Sequence, residues 1–266
     1  MVLYKRKKMK EKIEKARAYS EQFKQMASLQ MLELVLNNHS GKVVFSTSLG
    51  AEDQVITHML VQAGMRDGIF TLDTGRMFPE SYEVLEKTNA RLGINIALFF
   101  PDAGRVEEMV NSKGINLFYE SVDNRKLCCH IRKIEPLSRA LSGNEVWITG
   151  LRREQSPTRT DLMHAEWDEG NQIIKVNPLL DWTEQEVWDY IRLHKIPYNS
   201  LHDQGFPSIG CQPCTRAVQP GEDLRSGRWW WENPTTKECG LHPLRGNQVV
   251  EKGGPAISLD DGSVDP

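Results

Sequence analysis

Cysteine is scarce in this chain of 266 residues, and the five that occur cannot all pair with one another. So few, so unevenly placed, do not read as the disulfide framework of a small secreted domain. Metal binding or catalysis in a reducing compartment is the better expectation. Long apolar runs are also missing. No stretch approaches the roughly 20 residues that a membrane-crossing helix needs. The start, Met1 to Lys15, is basic but has no apolar core of the kind a secretory signal carries. A cytoplasmic location is therefore expected, with no membrane partner. Nor is there a large excess of charge of either sign. A net charge of −3 argues against a general nucleic-acid binder, although local arginines can still hold a small anion. No internal repeat is visible. With 39% hydrophobic and 26% charged residues, the chain has the composition and length for one large α/β domain, with or without an appendage.

What the chain does have is alternation. Residues 5–36 predict helix, with Ile13, Phe23, Met26, Leu29, Leu32 and Leu36 at roughly helical spacing. Lys42 to Phe45 then predicts a buried strand, Ser46 to Gly50 a loop, and Ala51 to Ala63 a helix. A second strand is expected over Gly68 to Asp73. A helix starts at Pro79 and is ended by Gly93, and a third strand covers Ile94 to Phe100. A helix is expected around Val106 to Asn111. Another, over Asn124 to Leu141, has Pro136 as a break or restart. Glu145 to Gly150 reads as a fourth strand and Ile173 to Val176 as a fifth, near the sheet edge. Thr183 and Glu186 fit a capping box that opens a helix to His194. Strands alternating with helices predict an α/β fold with a doubly wound, mostly parallel sheet. From Pro197 the periodicity fades into Gly, Pro, Trp and Cys, and an irregular C-terminal appendage is expected. The divisions read as a helical segment over 1–40, a nucleotide-binding α/β domain over 41–196 and a C-terminal segment over 197–266.

Five features carry chemistry. Ser46-Thr47-Ser48-Leu49-Gly50-Ala51-Glu52-Asp53 lies between a strand and a helix, where open α/β sheets bind ligands. Small hydroxyl residues and a glycine at a helix N-terminus suit an anion; a plain Ser/Thr-rich cap would look the same. It is not a Walker A loop, since no Gly-Lys-Ser/Thr follows. Asp73-Thr74-Gly75 follows the second strand and reads as a nucleotide contact or a tight turn. Cys128-Cys129 and Cys211-Gln212-Pro213-Cys214 offer four thiolates from two distant segments. An adjacent pair suits tetrahedral zinc less well than a [4Fe–4S] cluster, whose ligands bind different irons; zinc and four unligated buried thiols stay as alternatives. Lys133 would lie one turn beyond Cys129, where it could offset cluster and substrate charge. Arg152, Arg153 and Arg159 follow the fourth strand, and Arg225 and Arg228 precede the remaining cysteine. Arginine suits bidentate recognition of phosphate or sulfate. That last thiol, Cys239 in Glu238-Cys239-Gly240-Leu241-His242, could be activated by His242 and the two arginines.

With these residues in place, the chain resembles the assimilatory adenylyl-sulfate reductases, within the wider phosphoadenylyl-sulfate reductase family. The similarity runs from about Gly41 to His242. It rests on Ser-Thr-Ser-Leu-Gly-Ala-Glu-Asp at 46–53, Leu-Asp-Thr-Gly at 72–75, Cys-Cys-His-Ile-Arg-Lys at 128–133, Gly-x-Arg-Arg-x-Gln-Ser at 150–156, the C-x-x-C at 211–214 and Glu-Cys-Gly-Leu-His at 238–242. The resemblance implies a fold like the adenine-nucleotide hydrolases and N-type ATP pyrophosphatases. It implies that Cys239 attacks the sulfur of adenylyl sulfate, expelling AMP and leaving a Cys-S-sulfonate from which thioredoxin or a glutaredoxin-like dithiol releases sulfite. It implies a [4Fe–4S] cluster on Cys128, Cys129, Cys211 and Cys214, with Lys133 between cluster and substrate. Arg225, Arg228 and His242 look like its sulfate- and phosphate-contacting residues, and Arg159 is a less close match. Substrate contacts are also expected from Ser46, Thr47, Ser48, Gly50, Asp73, Thr74, Gly75 and Arg152, and a homo-oligomer is expected. Phosphoadenylyl-sulfate enzymes generally lack the four cluster cysteines, so their presence here favours adenylyl sulfate. Two other readings compete. An N-type ATP pyrophosphatase would need ATP and magnesium and give Cys239 no role. An iron–sulfur redox sensor would bind a cluster and release no sulfite.

Overall fold

The computed structural model describes residues 2–155 and 161–233. Six strands form one sheet: β1 (Val43–Ser46), β2 (Ile69–Leu72), β3 (Ala97–Phe99), β4 (Val146–Ile148), β5 (Ala165–Asp168) and β6 (Ile173–Val176). Their order is β3-β2-β1-β4-β6-β5. All neighbours are parallel except β5 and β6. The sheet alternates its apolar residues between two covered faces, as a period of two requires. Val43, Phe45, Ile69, Val146, Ile148, Ile174 and Val176 point into one core. Val44, Phe70, Trp147 and Ile173 point into the other.

The first core is closed by α1 (Val2–Phe23), α2 (Ser28–Asn38), α3 (Ala51–Gln62), α4 (Pro79–Leu92) and α8 (Glu184–His194). The second face is covered by α7 (Glu135–Leu141), through Leu137, Ala140 and Leu141. The doubly wound, mostly parallel sheet expected from the alternation is therefore present. The predicted caps hold as well. Pro79 opens α4, and Gly93 closes it in the left-handed conformation. Thr183 Oγ1 accepts from Glu186 N, and the Glu186 carboxylate accepts from Thr183 N at 2.7 Å.

One local expectation changes, and two are placed more closely. The single helix over 5–36 is two helices, parted between Phe23 and Ser28, with the Gln30 side chain accepting from Ala27 N. The strand at Ile173–Val176 lies near the edge as expected, next to the last in the sheet. It lies between β4 and an outer antiparallel strand, β5, whose sequence Ala-Glu-Trp-Asp has little strand character. Cross-strand pairing of Glu166 with Lys175, an ion pair of 2.8 Å with both side chains buried, stands where an apolar pair would otherwise be. Pro136 marks the expected restart, standing in the first turn of α7 (Glu135–Leu141). α6 (Val122–Cys129) runs into a π-helical turn, His130–Ile134, and on into α7. Proline has no N–H to give the turn before it, and a widened turn carries the axis past the missing bond. A shorter helix, α5 (Ala103–Lys113), packs beside that turn.

Beyond Ile196 the described chain is irregular, with short 3-10 turns at Ser200–Gln204 and Gln212–Cys214. It is anchored by a third apolar cluster in which Cys214 and Trp229 pack with Met109, Leu117, Phe118 and Ile131, with Cys128 and Cys211 at its side. Among the described residues no helix is long and apolar enough to cross a membrane.

Candidate active site

The strand order reverses between β1 and β4: β2 and β3 lie to one side, β6 and β5 to the other. Adjacent strands whose crossovers leave on opposite sides open a crevice at their carboxyl ends. A cavity of about 660 Å3 lies there, lined from β1 by Ser46 to Ser48 and Gly50 to Asp53, from β2 by Leu72 and Thr74, and from β4 by Thr149 to Arg152. Lys133, Cys211, Arg225 and Arg228 also line it. Residues predicted from six separate stretches thus meet at one place.

The loop after β1 is built around Asp53. Its Oδ2 accepts the Ser48 N–H and the Ser48 hydroxyl, each at 2.6 Å. Those two donors are thereby occupied by Asp53 rather than offered to a ligand. Thr47 Oγ1 accepts from Leu49 N, and Leu49 takes a positive φ of 63° while its side chain is fully buried in the core. Burial raises the Asp53 carboxyl from 3.8 to about 6, against the lowering effect of the Ser48 bonds. Ser46 Oγ accepts from Trp147 Nε1 at 2.8 Å, which ties β1 to β4. Gly150 allows the β4 loop to close over Asp53: a Cβ at this glycine would overlap Asp53 Oδ1 and stand 3.1 Å from its Cγ.

Asp73 and Gly75 do not line the cavity. Asp73 is buried and shapes the turn, accepting from Gly75 N at 2.8 Å and from the Tyr82 hydroxyl. Gly75 supplies the positive φ of 70° that the turn needs. Thr74 alone of the three faces the cavity, and its Oγ1 lies 3.3 Å from Cys211 Sγ. Arg152 lines the cavity but its guanidinium is committed: to Glu52 at 2.9 Å, to Glu154 at 3.2 Å and to the Trp182 carbonyl at 3.1 Å. It fixes the β4 loop to the β1 loop. Arg153, outside the cavity lining, pairs with Asp181. Arg159, Cys239 and His242 lie outside the described residues.

On the opposite wall the expected helical relation of Lys133 to Cys129 runs through the π turn, which changes the angular step. Lys133 nevertheless reaches the cavity, and its charge acts on Cys211. Burial alone would push the Cys211 thiol up. Lys133, the Thr74 hydrogen bond, Arg228 and Arg132 together bring it below the usual thiol range. Cys214 is pushed up to about 12, by burial and then by the neighbouring Cys211. Burial raises Cys128 too, with Arg132 opposing. Arg132 was quoted in its motif without a role. It is buried, and its Nη1 donates to the Thr74 carbonyl at 2.6 Å, joining the cysteine helix to the β2 turn. Its place inside Cys-Cys-His-Ile-Arg-Lys was the available signal. Trp188, Arg192 and His202 complete the far end of the cavity and carried no signal in the sequence.

Among the described residues no three or more His, Cys, Asp or Glu side chains are gathered as a metal site. The chemistry of the donor set still fits an iron–sulfur cluster. Cys128, Cys211 and Cys214 act electrostatically on one another and share one apolar cluster, Cys129 is buried next to Cys128 in α6, and Arg132, Lys133 and Arg228 act on the group. Cationic groups around thiolates offset the charge such a centre would bring.

Comparison with known proteins agrees with this geometry. Residues 42–217 match the family model of the phosphoadenosine phosphosulfate reductase domain. Among curated relatives, an adenosine 5′-phosphosulfate reductase of Allochromatium vinosum is 48% identical over 237 residues, covering 89% of this chain and 92% of that one. Another, from Burkholderia cepacia, is 50% identical over 214 residues, covering 80% and 86%. Among solved structures, a phosphoadenylyl-sulfate reductase from Candida auris in a phosphate complex superposes with a TM-score of 0.64 at 25% identity, covering 76% of this chain and 96% of that one.

Proposed function

Since the chain belongs to the phosphoadenosine phosphosulfate reductase family, we propose that it reduces adenylyl sulfate to sulfite and AMP, with a dithiol protein as electron donor. The observation that carries this reading is the meeting of Lys133, Arg225, Arg228 and Cys211 with the β1 loop around one cavity at the sheet's reversal point. A nucleotide placed there has its base and ribose against the strand ends and its anionic end toward the three cations. Curated relatives named for adenosine 5′-phosphosulfate, together with four cysteines of cluster type, favour the substrate without a 3′-phosphate.

The reaction proceeds in two steps. The thiolate of Cys239 attacks the electrophilic sulfur of the anhydride; an S–S bond forms, the S–O bond to phosphate breaks, and AMP leaves with the electron pair. Lys133, Arg225 and Arg228 stabilise the charge that gathers on phosphate oxygen. The product is a Cys239 S-sulfonate. One thiol of thioredoxin, or of a glutaredoxin-like protein, then attacks Cys239 Sγ and displaces sulfite. Its second thiol resolves the mixed disulfide and returns Cys239 as a thiol. The dithiol is oxidised by two electrons, and the sulfur is reduced by two.

In this reading His242, Arg225 and Arg228 are the cationic groups that would favour the Cys239 thiolate. Cys128, Cys129, Cys211 and Cys214 would hold a [4Fe–4S] cluster, which supplies local charge and ties the C-x-x-C turn to α6. Lys133 and Arg132 act on the Cys211 thiol and would balance charge on that wall.

Intact mass after mixing the protein with adenylyl sulfate, without a dithiol, tests the central step. One sulfonate is expected on the wild type and none on Cys239→Ser, which keeps its brown colour and loses turnover. Normal turnover by Cys239→Ser would overturn the assignment.

A further inference from the structure

Arg125 is fully buried on α6 and does not line the cavity. Neither the sequence motifs nor the reaction gives it a task. Its guanidinium makes a two-pronged bond to Glu232, Nε to Oε1 at 2.9 Å and Nη2 to Oε2 at 2.8 Å, with both side chains out of solvent. It also lies over the Trp229 ring, 5.0 Å from the centroid. A second guanidinium lies over that same ring at 4.7 Å, and it is Arg228, which does line the cavity.

Between these groups the backbone has little freedom. Trp229 is buried and takes a positive φ of 42°, a conformation that a bulky residue keeps only when its surroundings enforce it. Its N–H donates to the Cys214 carbonyl, its carbonyl accepts from Glu232 N, and Arg228 N donates to the Arg225 carbonyl. Residues 225–232 therefore form one fixed turn. Arg125 grips its far end through Glu232 and its middle through Trp229. Arg225 and Arg228 project from the near end into the cavity. Arg228 passes so close over Gly210 that a Cβ there would stand 2.9 Å from its Nη1, and Nη1 donates to the Ile209 carbonyl at 3.3 Å. The position of Arg228 is thus set from both sides.

We propose that Arg125 is a positioning residue: by clasping Glu232 and Trp229 it holds Arg225 and Arg228 where the anionic end of the nucleotide binds. This rests on the reading that those two arginines contact phosphate and sulfate. Arginine suits the task because its planar fork satisfies both carboxylate oxygens and stacks on an indole in the same pose. The clasp starts on the helix that carries Cys128 and Cys129, so the cysteine wall and the anion-binding turn are built as one unit.

The full-length holoenzyme and its Arg125→Met, Arg125→Lys and Glu232→Gln variants would be titrated with AMP and with adenosine, and assayed for sulfite release. Displacement of a binding group by about 1 Å can cost about 100-fold in kcat/KM. Arg125→Met and Glu232→Gln are expected to weaken AMP by about tenfold or more and to leave adenosine within about twofold, with KM for adenylyl sulfate rising in step with the AMP loss. Arg125→Lys, which keeps the charge and loses the fork, should fall between. Arg125→Met added to Arg228→Met should cost nothing further in AMP affinity. A residue that only stabilised the fold would lower the melting temperature, weaken both ligands alike and add to Arg228→Met; that pattern, or wild-type binding in all variants, overturns the proposal. Should Arg125→Met fail to fold, Glu232→Gln and Arg125→Lys carry the same comparison. An AMP-specific loss in a protein that never releases sulfite would refute the proposed reaction and keep the clasp. Sulfite release by the wild type, without an AMP-specific loss in the variants, would refute the clasp alone.

Discussion

Replacing Gly150 by alanine is the sharpest test of how the nucleotide loop is built. Gly150 does not hold a left-handed backbone, so alanine brings no conformational penalty there, only a methyl group. That methyl would overlap Asp53 Oδ1, stand 3.1 Å from Asp53 Cγ and 3.5 Å from Glu52 Cβ. Asp53 cannot swing away cheaply, because its Oδ2 holds the Ser48 N–H and hydroxyl at 2.6 Å each. Hydrogen bonds to a charged group contribute about 1.5–3 kcal/mol each, so losing both bounds the cost at roughly 3–6 kcal/mol. If the β4 loop lifts instead, overpacking costs roughly 1–3 kcal/mol. A value near 3 kcal/mol lies between, and for a chain of this size it lowers the melting temperature by about 6–12 °C. Either relaxation displaces the wall of the cavity, so AMP affinity should fall by about tenfold or more. Thermal melts and AMP titration read both effects. Gly104→Ala is the control: its Cβ meets Asp102 Oδ1 at an ordinary 3.5 Å within α5, and the change should be neutral or stabilising by up to about 1 kcal/mol. Asp53→Ala should remove most of the penalty of Gly150→Ala. If Gly150→Ala melted and bound AMP like the wild type, the close approach of the two loops would be wrong.

Two other outcomes follow from the same packing. Asp53 is raised from 3.8 to about 6, so the folded state holds its proton longer than the unfolded chain. Its stabilising contribution is complete below pH 3.8 and is lost as pH rises to about 6, a change of about 3 kcal/mol. Asp53→Asn should therefore gain stability relative to the wild type across that window, as read by denaturant melts at stepped pH; a difference that does not vary with pH contradicts the burial argument. At the sheet edge, Lys175→Met leaves Glu166 buried without its 2.8 Å partner and should cost roughly 3–5 kcal/mol, while Lys175→Met with Glu166→Leu should recover most of it. A single substitution costing under about 1 kcal/mol would show that the pair is not buried in solution.

Much of the fold could be read directly. The five parallel strands are short, mostly apolar runs bounded by turn residues, and the caps at Pro79, Gly93 and Thr183 use local chemistry that survives in the tertiary structure. β5 escaped notice because its sequence is acidic and its partner is a lysine. Only the register that sets Glu166 against Lys175 makes it a strand. The site divides in the same way. Arg225 and Arg228 stand outside the recognisable motifs and line the cavity together with Ser48, Lys133 and Cys211, which belong to them. Arg152 was read as a ligand contact for the same reason, yet two carboxylates occupy it, one of them from a segment 100 residues earlier.

Spacing along the chain carries the alternation of strand and helix, the residue types of the candidate site and the family. Packing between distant segments sets which cations face the cavity and which are spent on carboxylates, that Asp53 sits under Gly150, and that Arg125 grips the turn bearing Arg228. Those relations join residues far apart in the chain. Burial and distance set them, and neither is written in local order.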